Sequence, residues 1–122
     1  MRRERGVPMR VNSEKIGNCV LVEVAAAEVD LTVSEDFKDS VLEEYDRHGP
    51  GDLLLGLGQV NFMDSKAIGA MVSINKAVQR RGGRMGICDL HPHVRKIVDV
   101  VTLGTIFNVF VSRQEALRVF GG

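Results

Sequence analysis

Asp64 and Ser65 stand where a buried strand gives way to a helix. The run Asp52-Leu53-Leu54-Leu55-Gly56-Leu57 reads as the strand, and a helical pattern extends from Ala67 to about Arg81. A hydroxyl at such a junction meets backbone N–H groups with no intrahelical partner and the positive end of the helix dipole. That setting stabilises negative charge, and a phosphate on Ser65 would be such a charge. A plainer role is open at the same place. Ser65 caps the helix, or Asp64 caps it and Ser65 occupies the first turn.

The helix itself sorts its residues. At about 100° per residue, Ala67, Met71, Ile74 and Val78 fall on one side, toward a sheet. Ser65, Gly69, Ser73, Lys76 and Arg80 fall within about 80° of one another on the opposite side. A strip of small residues lets another protein's backbone come close. Ile68 and Val72 flank the strip and are expected as exposed aliphatics on an interaction surface. Lys66 places a cation beside the Ser65 hydroxyl.

Other chemistry is thinner. Gly56 and Gly58 form no phosphate cradle of Walker or Gly-x-Gly-x-x-Gly type. His91 and His93 flank a proline with no matching Cys or His set, so no metal site is expected. Cys19 and Cys88 fall in strand-like runs and read as small buried thiols in a reducing compartment, not as a bridge. No nucleophile is paired with a base, so the chain is not expected to be an enzyme or to need a cofactor.

The elements that would position Ser65 alternate. Met9 to Ile16 is a weak first strand, Gly17-Asn18 a turn, and Cys19 to Val24 a nearly continuous apolar strand. Thr32 or Ser34 is expected to cap the next helix, whose stripe is Val33, Phe37, Val41 and Tyr45. His48-Gly49-Pro50-Gly51 ends it, with His48 as a dipole partner. Asp52 to Leu57 is too apolar for a half-exposed strand and should be covered on both faces. Gly82-Gly83 then turns the chain into a parallel strand, Arg84 to Cys88. A helix from about Pro92 to Val101 and a short strand near Ile106 to Val111 follow. Ser112-Arg113-Gln114-Glu115 has capping-box spacing for a last helix, packed by Ala116, Leu117 and Phe120. The sum is an α/β domain with an N-terminal β-hairpin and a mostly parallel sheet of four to five strands.

This order of elements, with Phe62-Met63-Asp64-Ser65-Lys66-Ala67-Ile68-Gly69 opening the helix, resembles the STAS domain of anti-sigma factor antagonists. The usual form of that motif is Asp-Ser-Ser-Gly-Leu-Gly. Here Lys66-Ala67 replaces Ser-Gly, and Gly56 stands where the family often carries Asp or Asn. The resemblance runs from about Val11 to Phe120 and places Asp30, in Glu28-Val29-Asp30, where the family has an Asp before its first long helix. It implies a cytoplasmic phosphoprotein in transcription regulation. Unphosphorylated, such a domain binds an anti-sigma factor that is also a Ser kinase and so frees the sigma factor. The kinase phosphorylates Ser65 and the complex parts; a phosphatase resets it. The partner-binding set it implies is Asp30, Asp64, Lys66, Ile68, Gly69, Val72 and Ser73. It also leaves room for a STAS scaffold or interaction subunit in a signalling or lipid-transport assembly, with Ser65 unused.

The whole chain is compatible with either. At 122 residues it is one domain, long enough to bury a core without staples. Sixteen Lys and Arg against sixteen Asp and Glu leave no net charge, so nucleic acid is not an expected partner. No apolar run approaches the ~18 residues of a membrane span. Residues 1–8 are expected as a flexible basic tail ahead of a domain over 9–120; four arginines and one glutamate fall in residues 1–10. Oligomeric state is not legible.

Overall fold

The computed structural model describes residues 9–102 and 108–120. Two strands, β1 (Val11–Ile16) and β2 (Cys19–Val24), form an antiparallel hairpin. Gly17 closes it at φ +60°, a left-handed conformation that glycine adopts without a Cβ penalty. Three further strands, β4 (Asp52–Gly56), β6 (Met85–Cys88) and β7 (Asn108–Phe110), extend the sheet in parallel. The order is β1-β2-β4-β6-β7. Each parallel step is spanned by a helix: α1 (Ser34–His48), α2 (Ser65–Arg80) and α3 (Pro92–Thr102). A fourth helix, α4 (Arg113–Phe120), ends the described chain. The expected architecture is thus present, with five strands in the main sheet. Of the strand expected near Ile106 to Val111, residues 106–107 lie outside the described residues, as do residues 1–8.

Strand alternation divides the interior into two cores. Val20, Val22, Val24, Leu53, Leu55, Met85 and Ile87 face α1, α2 and α3. Cys19, Leu21, Leu54 and Cys88 face Ala116 and Phe120 of α4. A strand with helices on both faces must be apolar at successive positions, which is why Leu53, Leu54 and Leu55 stand in a row.

Local signals explain most boundaries. At the end of α2, Gly82 N–H bonds the Gln79 carbonyl at 2.9 Å and Gly83 N–H the Val78 carbonyl at 3.0 Å. Gly82 has φ +83°, so this is a Schellman ending. At the start of α4, Glu115 N–H donates to Ser112 Oγ at 3.1 Å, while Glu115 Oε1 accepts from Val111 N–H at 2.9 Å. Ser112 thus caps α4 as the spacing predicts, while the Glu115 carboxylate reaches one residue past the cap, to Val111 and not to Ser112 N–H.

Helix α1 departs from expectation. Its N-cap is Val33, with no side-chain cap bond. Thr32 is engaged elsewhere, and Ser34 is already helical and donates to the Leu31 carbonyl at 3.4 Å. His48, its last residue, lies 3.1 Å through Nε2 from Ser13 Oγ on β1.

A second departure concerns the loops. Residues Glu28–Val29 (β3) and Phe62–Met63 (β5) pair in parallel as a separate two-stranded sheet. Two-residue strands carry no readable period, so neither segment is visible as a strand in the sequence. Their pairing brings the β2–α1 and β4–α2 connections together.

Candidate functional site

The small sheet builds the site. Val29 stands opposite Met63, and both are buried. The next residue on each strand, Asp30 and Asp64, therefore emerges at the same edge. Asp64 N–H bonds the Val29 carbonyl at 3.4 Å, and Leu31 N–H donates to Asp64 Oδ2 at 2.8 Å. The other carboxylate oxygen, Asp64 Oδ1, accepts from Ala67 N–H at 2.9 Å and caps α2. One side chain thus starts the helix and ties the turn before α1 to it.

Asp30 organises that turn. Its Oδ1 accepts from Thr32 Oγ1 at 2.6 Å and from Thr32 N–H at 2.9 Å. These two bonds, the hydroxyl first, hold its carboxyl below the usual carboxylate range. Asp30 is accordingly a carboxylate at neutral pH.

Asp64 being the cap settles which residue serves the helix and which is left over. Ser65 is the first helical residue and is exposed. Among the described residues its hydroxyl has no hydrogen-bond partner. An uncommitted hydroxyl over the first turn of a 16-residue helix is accessible to a visiting protein.

The rest of the expected strip lies as its angles predict. Gly69, Ser73, Lys76 and Arg80 are all exposed along α2, and so is Lys66 beside Ser65. A Cβ built on Gly69 meets no atom within 4 Å, so nothing inside the molecule requires glycine there.

Ile68 corrects the expectation. It is fully buried in the large core, so it is a core residue and not a contact for a partner. Val72 is half-buried and packs against the same core. The cause is the position of α2 between α1 and α3, both of which it touches. Flanking positions that an isolated helix would expose are covered by its neighbours.

Two residues missing from the sequence reading belong to this neighbourhood. Phe62 on β5 and Leu31 after β3 are 44% and 67% exposed. Apolar side chains left in solvent cannot be told from core residues by type. Phe62 lies three residues before Ser65, and the N–H bond of Leu31 to Asp64 brings the turn before α1 to the same edge.

Among the described residues no group of three or more His, Cys, Asp or Glu could hold a metal. His91 and His93 stack on each other, rings 5.1 Å apart. Burial pushes the thiols of Cys19 and Cys88 up to about 11 and about 12, which leaves both protonated and unreactive at neutral pH. Among the described residues no helix is long and apolar enough to cross a membrane.

Comparisons with known proteins bear on the fold and the family. The anti-sigma F factor antagonist of Paenibacillus polymyxa is 28% identical over 98 residues, 80% of this chain and 84% of that protein. The crystal structure of an anti-sigma factor antagonist from Mycobacterium paratuberculosis superposes with a TM-score of 0.79 at 17% identity, covering 93% of this chain and 95% of that one. The phosphorylated form of the Bacillus cell fate determinant SpoIIAA gives 0.63 at 17% identity, over 90% and 99% of the two chains. The family model of the STAS domain matches residues 10–116. With that span covering nearly all of the described fold, the chain belongs to the STAS domain family.

Proposed function

We propose that this protein is an anti-sigma factor antagonist whose binding is switched at Ser65. Unmodified, it docks through the start and outer strip of α2 onto an anti-sigma factor that is also a Ser kinase. Docking frees the sigma factor. The kinase transfers the terminal phosphoryl group of its nucleoside triphosphate to Ser65 Oγ, leaving the diphosphate, and the complex parts. A phosphatase removes the phosphate as inorganic phosphate. The domain is a substrate and a binder working in the cytoplasm, with Asp30, Asp64, Lys66, Gly69 and Ser73 around the contact.

The observation that carries this reading is the division of labour at the helix start. Asp64 supplies the cap at 2.9 Å, and the neighbouring exposed hydroxyl is free of structural duty. The similarity to the anti-sigma F factor antagonist of Paenibacillus polymyxa supports the same role.

Magnitudes decide how the switch would work. The helix dipole stabilises an exposed phosphate by only ~0.3–1 kcal/mol, so the fold barely changes. A docked partner would meet desolvated, unpaired charge, a penalty of several kcal/mol, equivalent to a hundredfold or more in affinity. Ser65→Ala should therefore hold the kinase persistently, and Ser65→Asp should bind it at least about tenfold more weakly. Calorimetric titration with the purified kinase measures both. Equal affinities for the two variants and the wild type would remove Ser65 from the mechanism.

A further inference from the structure

Around Ser65 the surface carries two opposite characters. On one side stand Phe62 and Leu31, 44% and 67% exposed. Leu31 is held there by its N–H bond to Asp64, and Phe62 sits opposite Glu28 in register. Glu28, exposed, stands opposite Phe62, and the half-exposed Asp30 and Asp64 adjoin Leu31, so each of the two apolar residues has carboxylates beside it. On the other side α2 runs outward for roughly 22 Å from Ser65 to Arg80. Its sequence, SKAIGAMVSINKAVQR, holds Lys66, Lys76 and Arg80 and no acidic residue. All three are exposed, and among the described residues none forms an ion pair. The adjacent Arg81 does pair, with Asp46 at 2.7 Å.

We propose that Leu31 and Phe62 are the apolar anchors of a bipolar docking surface, and that its partner is a protein face of the complementary pattern. That face offers an apolar pocket with a basic group beside it, followed by carboxylates opposed to Lys66, Lys76 and Arg80. The proposal rests on the reading of Ser65 as the switched contact and specifies the chemistry of the partner that meets it. Large apolar side chains that enter a desolvated pocket concentrate binding energy, while charges at the rim set orientation and approach. The pattern also selects against polyanions. A membrane of anionic lipid or a nucleic acid would be drawn to the α2 strip and repelled by Glu28, Asp30 and Asp64 at the anchors.

The test uses the full chain and the purified anti-sigma factor kinase of its own host, titrated at low and high salt. Phe62→Ala and Leu31→Ala are each expected to weaken binding about tenfold or more. Their circular dichroism should stay near wild type, and Tm measured alongside separates any loss from the covered part of Phe62 from a loss of binding. Lys76→Glu combined with Arg80→Glu is expected to weaken binding and to flatten its salt dependence. If Ser65→Asp blocks binding while Phe62→Ala and Leu31→Ala bind like wild type, the anchors are wrong and the Ser65 reading stands. If the anchor variants weaken binding while Ser65→Ala and Ser65→Asp do not differ, the docking surface stands and the Ser65 reading falls. A wild-type chain that binds no such kinase overturns both. Binding of phosphatidylglycerol vesicles or duplex DNA, abolished by the Lys76 and Arg80 substitutions, would reassign the surface to a polyanion and overturn the proposal.

Discussion

Asp64 does two jobs with two oxygens. One caps α2 at Ala67, the other holds Leu31 of the turn before α1. Asp64→Ala removes both. Loss of the cap alone should cost about 1–2 kcal/mol, read as a shift in the urea midpoint. The Leu31 N–H can turn to water, because the residue is exposed, so the second loss should show less in stability than in binding. An Asp64→Ala protein as stable as wild type would mean that the cap is supplied from elsewhere. The motif Asp64-Ser65 was readable as a helix start, but its two side chains were interchangeable on paper. Either can cap, and only the 2.9 Å contact from Ala67 N–H assigns the cap to Asp64 and leaves the serine outside it.

At the scale of the element, α2 shows how much a helical wheel can say. Its periodicity orients residues about the helix's own axis, and the outward strip from Ser65 to Arg80 follows from that alone. Whether a flank is wet depends on what packs beside it, and Ile68 is buried because α1 and α3 close in on both sides. Gly69 yields a prediction of its own. Mid-helix glycine is less favourable than alanine by roughly 0.5–1 kcal/mol, and space around a Cβ there is open. Gly69→Ala should therefore raise stability by about that amount in urea unfolding. It should also weaken docking of the kinase, since a methyl group then stands where a partner's backbone approaches. A gain in stability with unchanged affinity would take Gly69 out of the contact.

For the molecule as a whole, the sheet separates the face that carries α1, α2 and α3 from the bracing face that carries α4. Phe120 anchors α4 on the bracing side. Its ring meets Phe110 edge-on at 5.4 Å, and the Arg84 guanidinium lies 4.7 Å over it. Arg84 is held in turn by Asp52, at 2.8 Å from its Nη2. Gly86 leaves the room this ring needs, for a Cβ there would stand 2.7 Å from it. Phe120→Ala should cost about 3–5 kcal/mol in urea unfolding, since an eight-residue helix has little stability without its packing. Affinity for the kinase at temperatures where the variant stays folded should hold, because the Ser65 surface lies on the opposite side of the sheet. A large loss of affinity in a folded Phe120→Ala protein would show that the two sides are coupled.

The chain's own pattern was enough for the hairpin, the alternation of strands and helices, the doubly covered β4, the turn at Gly82-Gly83 and the Ser112 start of α4. Each of these rests on neighbours within a few residues, where spacing and residue type act directly. The pairing of β3 with β5, the burial of Ile68 and the exposure of Leu31 and Phe62 were decided in three dimensions. They join segments some thirty residues apart, such as Val29 with Met63, and no local period reports a contact that long-range packing creates.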